Sequence, residues 1–459
     1  MRERRTIVDG VEFGSIFQFQ KIFGAIVSSM QPARILIGFG MVLVLVASGR
    51  LWDSFSGDDA TSLTNTISIE ELNQRRGLAI ATASTAFGHN APESSVDWSI
   101  KDAQTYLLDV WQDYLFEGEV NAAEREELEQ IYLNLEELKP LGPFEASSNY
   151  VSEAWTSIVD GGLNLNVVQM WQGVVSIVWE LPQLLWQGGF HWFISLYGFL
   201  LIYVLCVGGG AISRMQACWH SRCHRLSVGE AIDFSMFRWR SLLRAVFAPA
   251  MFVASLSIVL MLMGFLLLNI PWINLIGGLV YGVSLFIGFL ISIIAVSYAA
   301  SFPMVIPSVV IEDCGGSEAL QRSFAYLYSK TLTYLGYLAV LIISLVLGYL
   351  VVRLIATLTL DFTANLTGAL TFNHVSGQIQ YSTILTTGLS WNETSAIWLI
   401  SLWETVVYDL MIGWLFSGFF SASAMLYLLM RKKCDGQDSR DIWWSGLIQG
   451  TNIPEEPTN

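Results

Sequence analysis

Four side chains within seven positions carry the sharpest chemical pattern in the chain: Cys218, His220, Cys223 and His224. Thiolate and imidazole are the preferred ligands of zinc and related metals. On a continuous helix, His220 and His224 share one face and Cys223 lies three residues from His220. A structural zinc site normally pairs such ligands with a second cluster, and the sequence has none nearby. The commoner reading is therefore a basic helix beside a membrane. No metal and no cofactor is expected.

Other ionisable residues interrupt apolar stretches. Glu404 and Asp409 lie within the run from Ala396 to Met430, and an ionisable group in such a run is a candidate functional site. The run is too long for a single span, which places both near its outer end, with Arg353 as the expected counter-charge. Glu312 closes another apolar run, and it is expected either to cap the next short helix or to pair with Arg322. Gly278 and Gly282 form a Gly-x-x-x-Gly pattern, with Gly288 beyond it, expected to serve close helix packing. The chain has no Gly-x-Ser-x-Gly, His-Glu-x-x-His, phosphate-loop or dinucleotide fingerprint. An enzyme is not the expectation.

The elements that must position these residues are membrane helices. Of 459 residues, 53% are hydrophobic and only 14% charged, against about a quarter charged in soluble proteins. Six apolar runs have the length that a hydrocarbon core of about 30 Å demands: 34–51, 192–212, 245–269, 274–300, 332–356 and 409–430. The segment Asn269 to Asn274, with Pro271 and Trp272, is expected to turn the third into the fourth.

Charge sets the orientation. Arg2, Arg4, Arg5, Lys21 and Arg34 precede the first span; Arg214, Arg222, Arg225, Arg238, Arg240 and Arg244 lie between the second and third. Arg322 and Lys330 lie between the fourth and fifth, and Arg431, Lys432, Lys433 and Arg440 follow the sixth. With six spans all 17 fall on one side, which the positive-inside rule makes cytoplasmic. Between Asp53 and Glu180, by contrast, 22 Asp and Glu face five Lys and Arg, a balance of −17. That block repels phosphates, so nucleic acid is not an expected partner.

The expected organisation follows. Residues 1–33 form a cytoplasmic amphipathic segment, 34–51 an uncleaved anchor, 52–190 an acidic extracytoplasmic helical domain, 192–430 a five-span membrane domain and 431–459 a cytoplasmic tail. Within 52–190, apolar residues recur at helical spacing at Tyr106, Leu107, Val110, Trp111, Tyr114 and Leu115, and again at Leu128, Ile131, Tyr132 and Leu135. Residues 166–187 are apolar, but Glu180, Pro182 and Gln183 argue for an interfacial helix, and a seventh span would invert every later basic loop. None of the five cysteines lies in the acidic block, which excludes a disulfide-stapled outer domain.

Glu230-Ala231-Ile232-Asp233-Phe234-Ser235 and Glu318-Ala319-Leu320-Gln321-Arg322-Ser323 share Glu-Ala-aliphatic-x-x-Ser, 88 residues apart. Each follows one span and precedes the next, so spans two and three repeat as spans four and five, about an axis along the membrane normal. Ser227-Val228-Gly229-Glu230 has capping-box spacing.

Three segments together carry a resemblance. They are Gly208-Gly209-Gly210-Ala211-Ile212-Ser213-Arg214 with Gly229-Glu230-Ala231 and the arginine-rich run to Pro249; Pro303-Met304-Val305-Ile306-Pro307 to Glu312 with Ala319 to Tyr326; and Leu415-Phe416-Ser417 with Tyr427 to Gly436. This set resembles an uncharacterised multi-pass membrane protein family common in planctomycete-type bacteria. The second segment also looks like the membrane domain attached to some glycerophosphodiester phosphodiesterases. The resemblance covers spans two to six and implies a bacterial inner-membrane protein. It supplies no catalytic residue, and no phosphodiesterase domain is present.

The expected function is a non-enzymatic membrane scaffold that anchors the acidic domain for an envelope partner, embedded in the lipid bilayer and open to homo-oligomerisation. The alternative is a transporter or lipid-handling protein built around spans two to five.

Overall fold

A computed structural model describes residues 18–56, 69–84, 103–104, 106–107, 130–131, 134–135, 141–164, 166–222, 224–269, 273–369 and 391–444. Among these the fold is all-α, about 91% helical with no strand. We number the helices α1 (Gln20–Ser29), α2 (Pro32–Ser56), α3 (Ile69–Ser84), α4 (Pro143–Leu163), α5 (Val167–Val175), α6 (Leu181–Gln187), α7 (His191–Arg222), α8 (Val228–Phe237), α9 (Trp239–Met263), α10 (Ile273–Glu312), α11 (Gly316–Ser329), α12 (Thr331–Gly368) and α13 (Trp391–Asp435).

Six helical stretches are long and apolar enough to cross a membrane: Pro32–Phe55, His191–Arg222, Trp239–Leu268, Asn274–Glu312, Thr331–Gly368 and Ser395–Asp435. They contain the six expected apolar runs, save that the third stops at Leu268, and extend beyond them. The extension of α10 continues through Pro303 and Pro307 to Glu312. Proline frees a carbonyl of the preceding turn, and neighbouring groups make such a break tolerable in a spanning helix. The Tyr334 hydroxyl donates to the carbonyl of Ala300, next to the Ala299 carbonyl that Pro303 leaves without its helical donor. The α10 helix ends where Asp313 takes φ 54°, the left-handed stop common after a helix.

Residues 167–187 form one helical stretch that a π-turn interrupts. Asn166 caps α5, a π-turn occupies Ser176–Glu180, and Pro182 stands at the start of α6. Pro271 and Trp272, and most of the acidic stretch between 85 and 140, lie outside the described residues.

The chain divides into two units. The first comprises Met1–Leu45, Leu200–Val352 and Asp409–Asn459. Two of its helices approach closely at a pair of glycines: a Cβ on Gly38 would lie 2.0 Å from the Gly413 carbonyl oxygen, and one on Gly413 would lie 2.6 Å from the Phe39 nitrogen. Gly208 accommodates Met41, Gly209 the Phe420 ring and Gly348 the Trp414 indole in the same way. The expected packing glycines are different ones. A Cβ on Gly278 or Gly282 would meet nothing within 4 Å, so inside the chain neither makes a close approach. The small-residue stripe is present, but no described neighbour is laid along it.

The second unit comprises Val46–Phe199 and Arg353–Tyr408. Buried Leu181, Leu185 and Phe193 form its described core, with Trp52, Phe144, Phe190 and Tyr197 packed around them. Phe193 and Tyr197 stack with centroids 4.9 Å apart, one turn apart on α7. The Asp53 carboxylate accepts the backbone N–H groups of Phe144 and Glu145 at 2.9 and 3.0 Å. It thereby caps α4 from another helix, satisfying two donors that a helix start leaves free. Gly49 lies directly under Phe144, where a Cβ would approach the ring to 2.2 Å.

Candidate functional site

The densest set of buried charged groups lies in the first unit, where α10, α11 and α13 meet. Glu312 ends α10 with its side chain 1% exposed, and Arg431, near the end of α13, is 0% exposed. Arg431 Nη1 donates to Glu312 Oε1. The Tyr427 hydroxyl donates to the same oxygen at 3.3 Å, and Arg322 on α11 reaches Oε2 at 3.3 Å. Arg322 also binds Glu318, one turn earlier, at 2.8 Å. Burial alone would lower the Arg322 pKa, but the Glu318 hydrogen bond and the Glu312 carboxylate outweigh it and raise the value. One carboxylate thus joins three helices.

The residues after α13 fold onto this cluster. Arg431 Nη2 donates to the carbonyls of Asp438 and Asp441. The Trp443 N–H donates to the Ile311 carbonyl at 3.0 Å. From α7, Arg214 donates to the carbonyls of Val310 at 3.0 Å and Trp443 at 2.7 Å, with its guanidinium 4.6 Å from the Phe234 ring centroid. Arg238 pairs with Asp313, the residue just past α10. Tyr326 donates to Asp435, and burial followed by that carboxylate raises its pKa. Asp438 lies near Lys432, Arg440 and Lys21. Burial would raise its pKa, but the Arg440 N–H and these charges hold it below the ordinary carboxylate value. Polar groups that are costly to bury are here paired with each other or with carbonyls left free at helix ends.

The short helices of the two expected repeat copies bury matching letters. Ala231 and Ser235 on α8, and Ala319 and Ser323 on α11, are all 0% exposed. Ser227 and Glu230 form the reciprocal capping box, with bonds of 3.3 and 3.0 Å. At the start of α11, Gly315 provides no side-chain cap.

The Cys/His pattern is dispersed. Cys218 is buried within α7, and His220 Nε2 lies 3.1 Å from Ser439 Oγ. The helix ends at Arg222, so His224 is not on the face of His220, contrary to the helical expectation. Its ring instead stands edge-on to Trp444, with centroids 5.7 Å apart. Cys223 lies outside the described residues. Among those residues no group of three or more His, Cys, Asp or Glu converges as a metal site.

Arg353 is exposed and Glu404 half-buried in the second unit, and no ion pair joins them among the described residues. Asp409 belongs to the first unit and is 7% exposed. The α12 backbone continues twelve or more residues past Arg353, so this side chain leaves a helix flank rather than a helix end.

Sequence reasoning treated Arg34 and Arg431 only as topology markers. Arg431 is the main partner of Glu312, 119 residues away, and no local spacing signals that pairing. Arg34 is 1% exposed and donates from Nη1 to the Ser28 carbonyl at 3.1 Å, to Ser28 Oγ at 2.9 Å and to Gln216 Oε1. Two cavities border these helices. One of about 540 Å³ lies between α9 and α10 and includes Gly277, Tyr281, Ser284 and Ser292. The other, about 350 Å³, lies at the start of α2.

Comparison with family models, with curated proteins and with solved structures finds no match to the chain.

Proposed function

We propose that this chain is a non-enzymatic scaffold of the bacterial inner membrane. In this reading both termini are cytoplasmic, and the acidic stretch 52–190 is presented to an envelope partner. The observation that carries the reading is the sorting of charge about the six candidate spans. The stretch with a balance of −17 lies between the first and second, whereas 17 Lys and Arg lie in the terminal segments, in the alternate connections and at the helix ends that adjoin them. The buried cluster supports it: Glu312, Arg322, Arg431 and Arg214 bind one another and backbone carbonyls, an arrangement suited to holding helix ends in register. The paired burial of Ala231 with Ala319 and of Ser235 with Ser323 supports a pseudo-two-fold relation of spans two and three to four and five. The resemblance to the planctomycete-type family is consistent with that environment.

A lipid-handling or transport function is the second reading, favoured by the cleft between α9 and α10 with Tyr281, Ser284 and Ser292 on its wall.

Affinity purification of the full chain in mild detergent tests the proposal. One envelope protein should co-purify in a fixed ratio. Replacing Glu124, Glu126, Glu127 and Glu129 by Gln should reduce its recovery several-fold, because acidic surfaces steer and orient basic partners. Recovery of the chain without a partner overturns the scaffold. Transfer of labelled lipid or solute by reconstituted vesicles would then assign the second reading.

A further inference from the structure

Among the described residues, the cavity of about 350 Å³ at the start of α2 gathers positive charge and no carboxylate. Arg34, Gln31, Trp219, His224 and Arg225 are among its lining residues. Arg34 is the notable member. It is 1% exposed, yet among the described residues its hydrogen bonds all go to neutral acceptors: Ser28 O, Ser28 Oγ, Gln216 Oε1 and, at 3.5 Å, Met215 O. Its Nε has no partner among the described residues. Guanidinium does not deprotonate in proteins, so a full positive charge is buried here without a counter-ion among the described residues. Arg431 is buried as deeply but faces Glu312.

Three further features favour an anion beside Arg34. Arg225 is exposed in the same lining, with its guanidinium carbon 5.3 Å from the Trp219 ring centroid. His224 is exposed next to it. Pro32 and Ala33, also in the lining, begin a helix of 25 residues, whose N-terminus carries partial positive charge. Arg and a helix start are both suited to phosphate oxygens. The indole of Trp219 adds an apolar edge of the kind found at lipid headgroup level, and the cavity opens at the end of a candidate span that bears the basic residues.

We propose that this cavity binds the phosphodiester headgroup of an anionic phospholipid. Arg34 supplies the buried charge, Arg225 closes over the headgroup from the exposed side, and Trp219 lies against the glycerol. The inference needs the spans but not the scaffold reading, and its test measures lipid rather than protein.

The test is native mass spectrometry of the full-length chain in detergent, titrated with phosphatidylglycerol or with phosphatidylcholine of the same acyl chains. The intact chain should retain one phosphatidylglycerol and only background phosphatidylcholine. Arg34→Gln should weaken retention at least about tenfold, the effect of losing a charge-assisted hydrogen bond in a buried site. Arg225→Gln should weaken it several-fold. Circular dichroism and size-exclusion profiles check folding, and if Arg34→Gln fails them the exposed Arg225→Gln variant decides. Retention unchanged in the folded variants, or equal for the two lipids, overturns the proposal. Millimolar inorganic phosphate that binds alone with the same arginine dependence and displaces the lipid would assign the cavity to a free anion and overturn the lipid.

Discussion

The two units hold their helices by different physics. In the first, the contacts that join distant segments at the span ends are charged: Glu312 links α10, α11 and α13, and Arg214 ties α7 to the end of α10. In the second, the described core is built of aromatic and aliphatic side chains around Phe193, and one carboxylate, Asp53, acts as a helix cap. A buried ion pair adds little net stability over an apolar pair, but it penalises every arrangement in which the partners part. Aromatic packing tolerates small displacements at small cost. The first unit should therefore be intolerant of losing one charge, and the second should lose stability gradually.

Glu312→Gln should produce the largest effect. It leaves Arg431 buried without a carboxylate and should cost about 3–5 kcal/mol, read as a lower denaturation midpoint in detergent. Glu318→Gln touches the same Arg322 from an exposed position, and should cost only about 0.3–0.5 kcal/mol. The double variant Glu312→Gln with Arg431→Met should recover part of the loss, because it removes the stranded charge as well. Equal midpoints for the two single variants would mean that the cluster is no more than a surface salt bridge, and the contrast between the units would fail.

An intermediate effect is expected in the second unit. Asp53→Ala removes the acceptor for two N–H groups at the start of α4 and should cost about 1 kcal/mol. Hydrogen exchange of the Phe144 and Glu145 amides should accelerate about fivefold, with the amides around Glu312 unchanged. Acceleration in both units would show that they unfold together rather than separately.

The parts of this fold that were legible in the sequence are those written locally. Charge-free runs mark the spans because lipid excludes charge, and the capping box at Ser227 and Glu230 needs only three residues of context. The Arg322 side of the Glu312 cluster lay within ten residues and so was open to inspection. Arg431 was not, since 119 residues separate it from Glu312 and a basic residue after an apolar run already had a sufficient topological reason. The same holds for the glycines: Gly278 and Gly282 form a recognisable stripe that meets no described neighbour, whereas Gly38 and Gly413 touch across 375 positions with no motif around either. The expectation for His220 and His224 failed because it assumed that α7 continues for two more residues. The helix stops at Arg222, and the side chains separate.

The smallest effect tests how closed the charged cluster is. Cys314 lies two residues past Glu312, is 8% exposed, and its Sγ donates to the Ser308 carbonyl at 3.7 Å. Burial, followed by the Glu318 and Glu312 carboxylates, pushes its pKa from 9.0 up to about 11. A thiol whose folded pKa is raised favours folding below its unfolded value and loses that advantage as pH rises through the folded one. The contribution is therefore intact below pH 9 and lost between about 9 and 11. The alkylating species is the thiolate, so peptide-resolved iodoacetamide labelling at pH 8 should proceed at Cys314 far more slowly in the folded chain than after denaturation, and should accelerate across that window. Glu312→Gln works on this thiol in two ways that add. Loss of a carboxylate lowers the pKa slightly, while a loosened cluster exposes the sulfur, and both speed labelling at pH 8. Labelling of the unaltered chain at the denatured rate would show that the cluster admits water freely, and the case for a closed network in the first unit would fall with it.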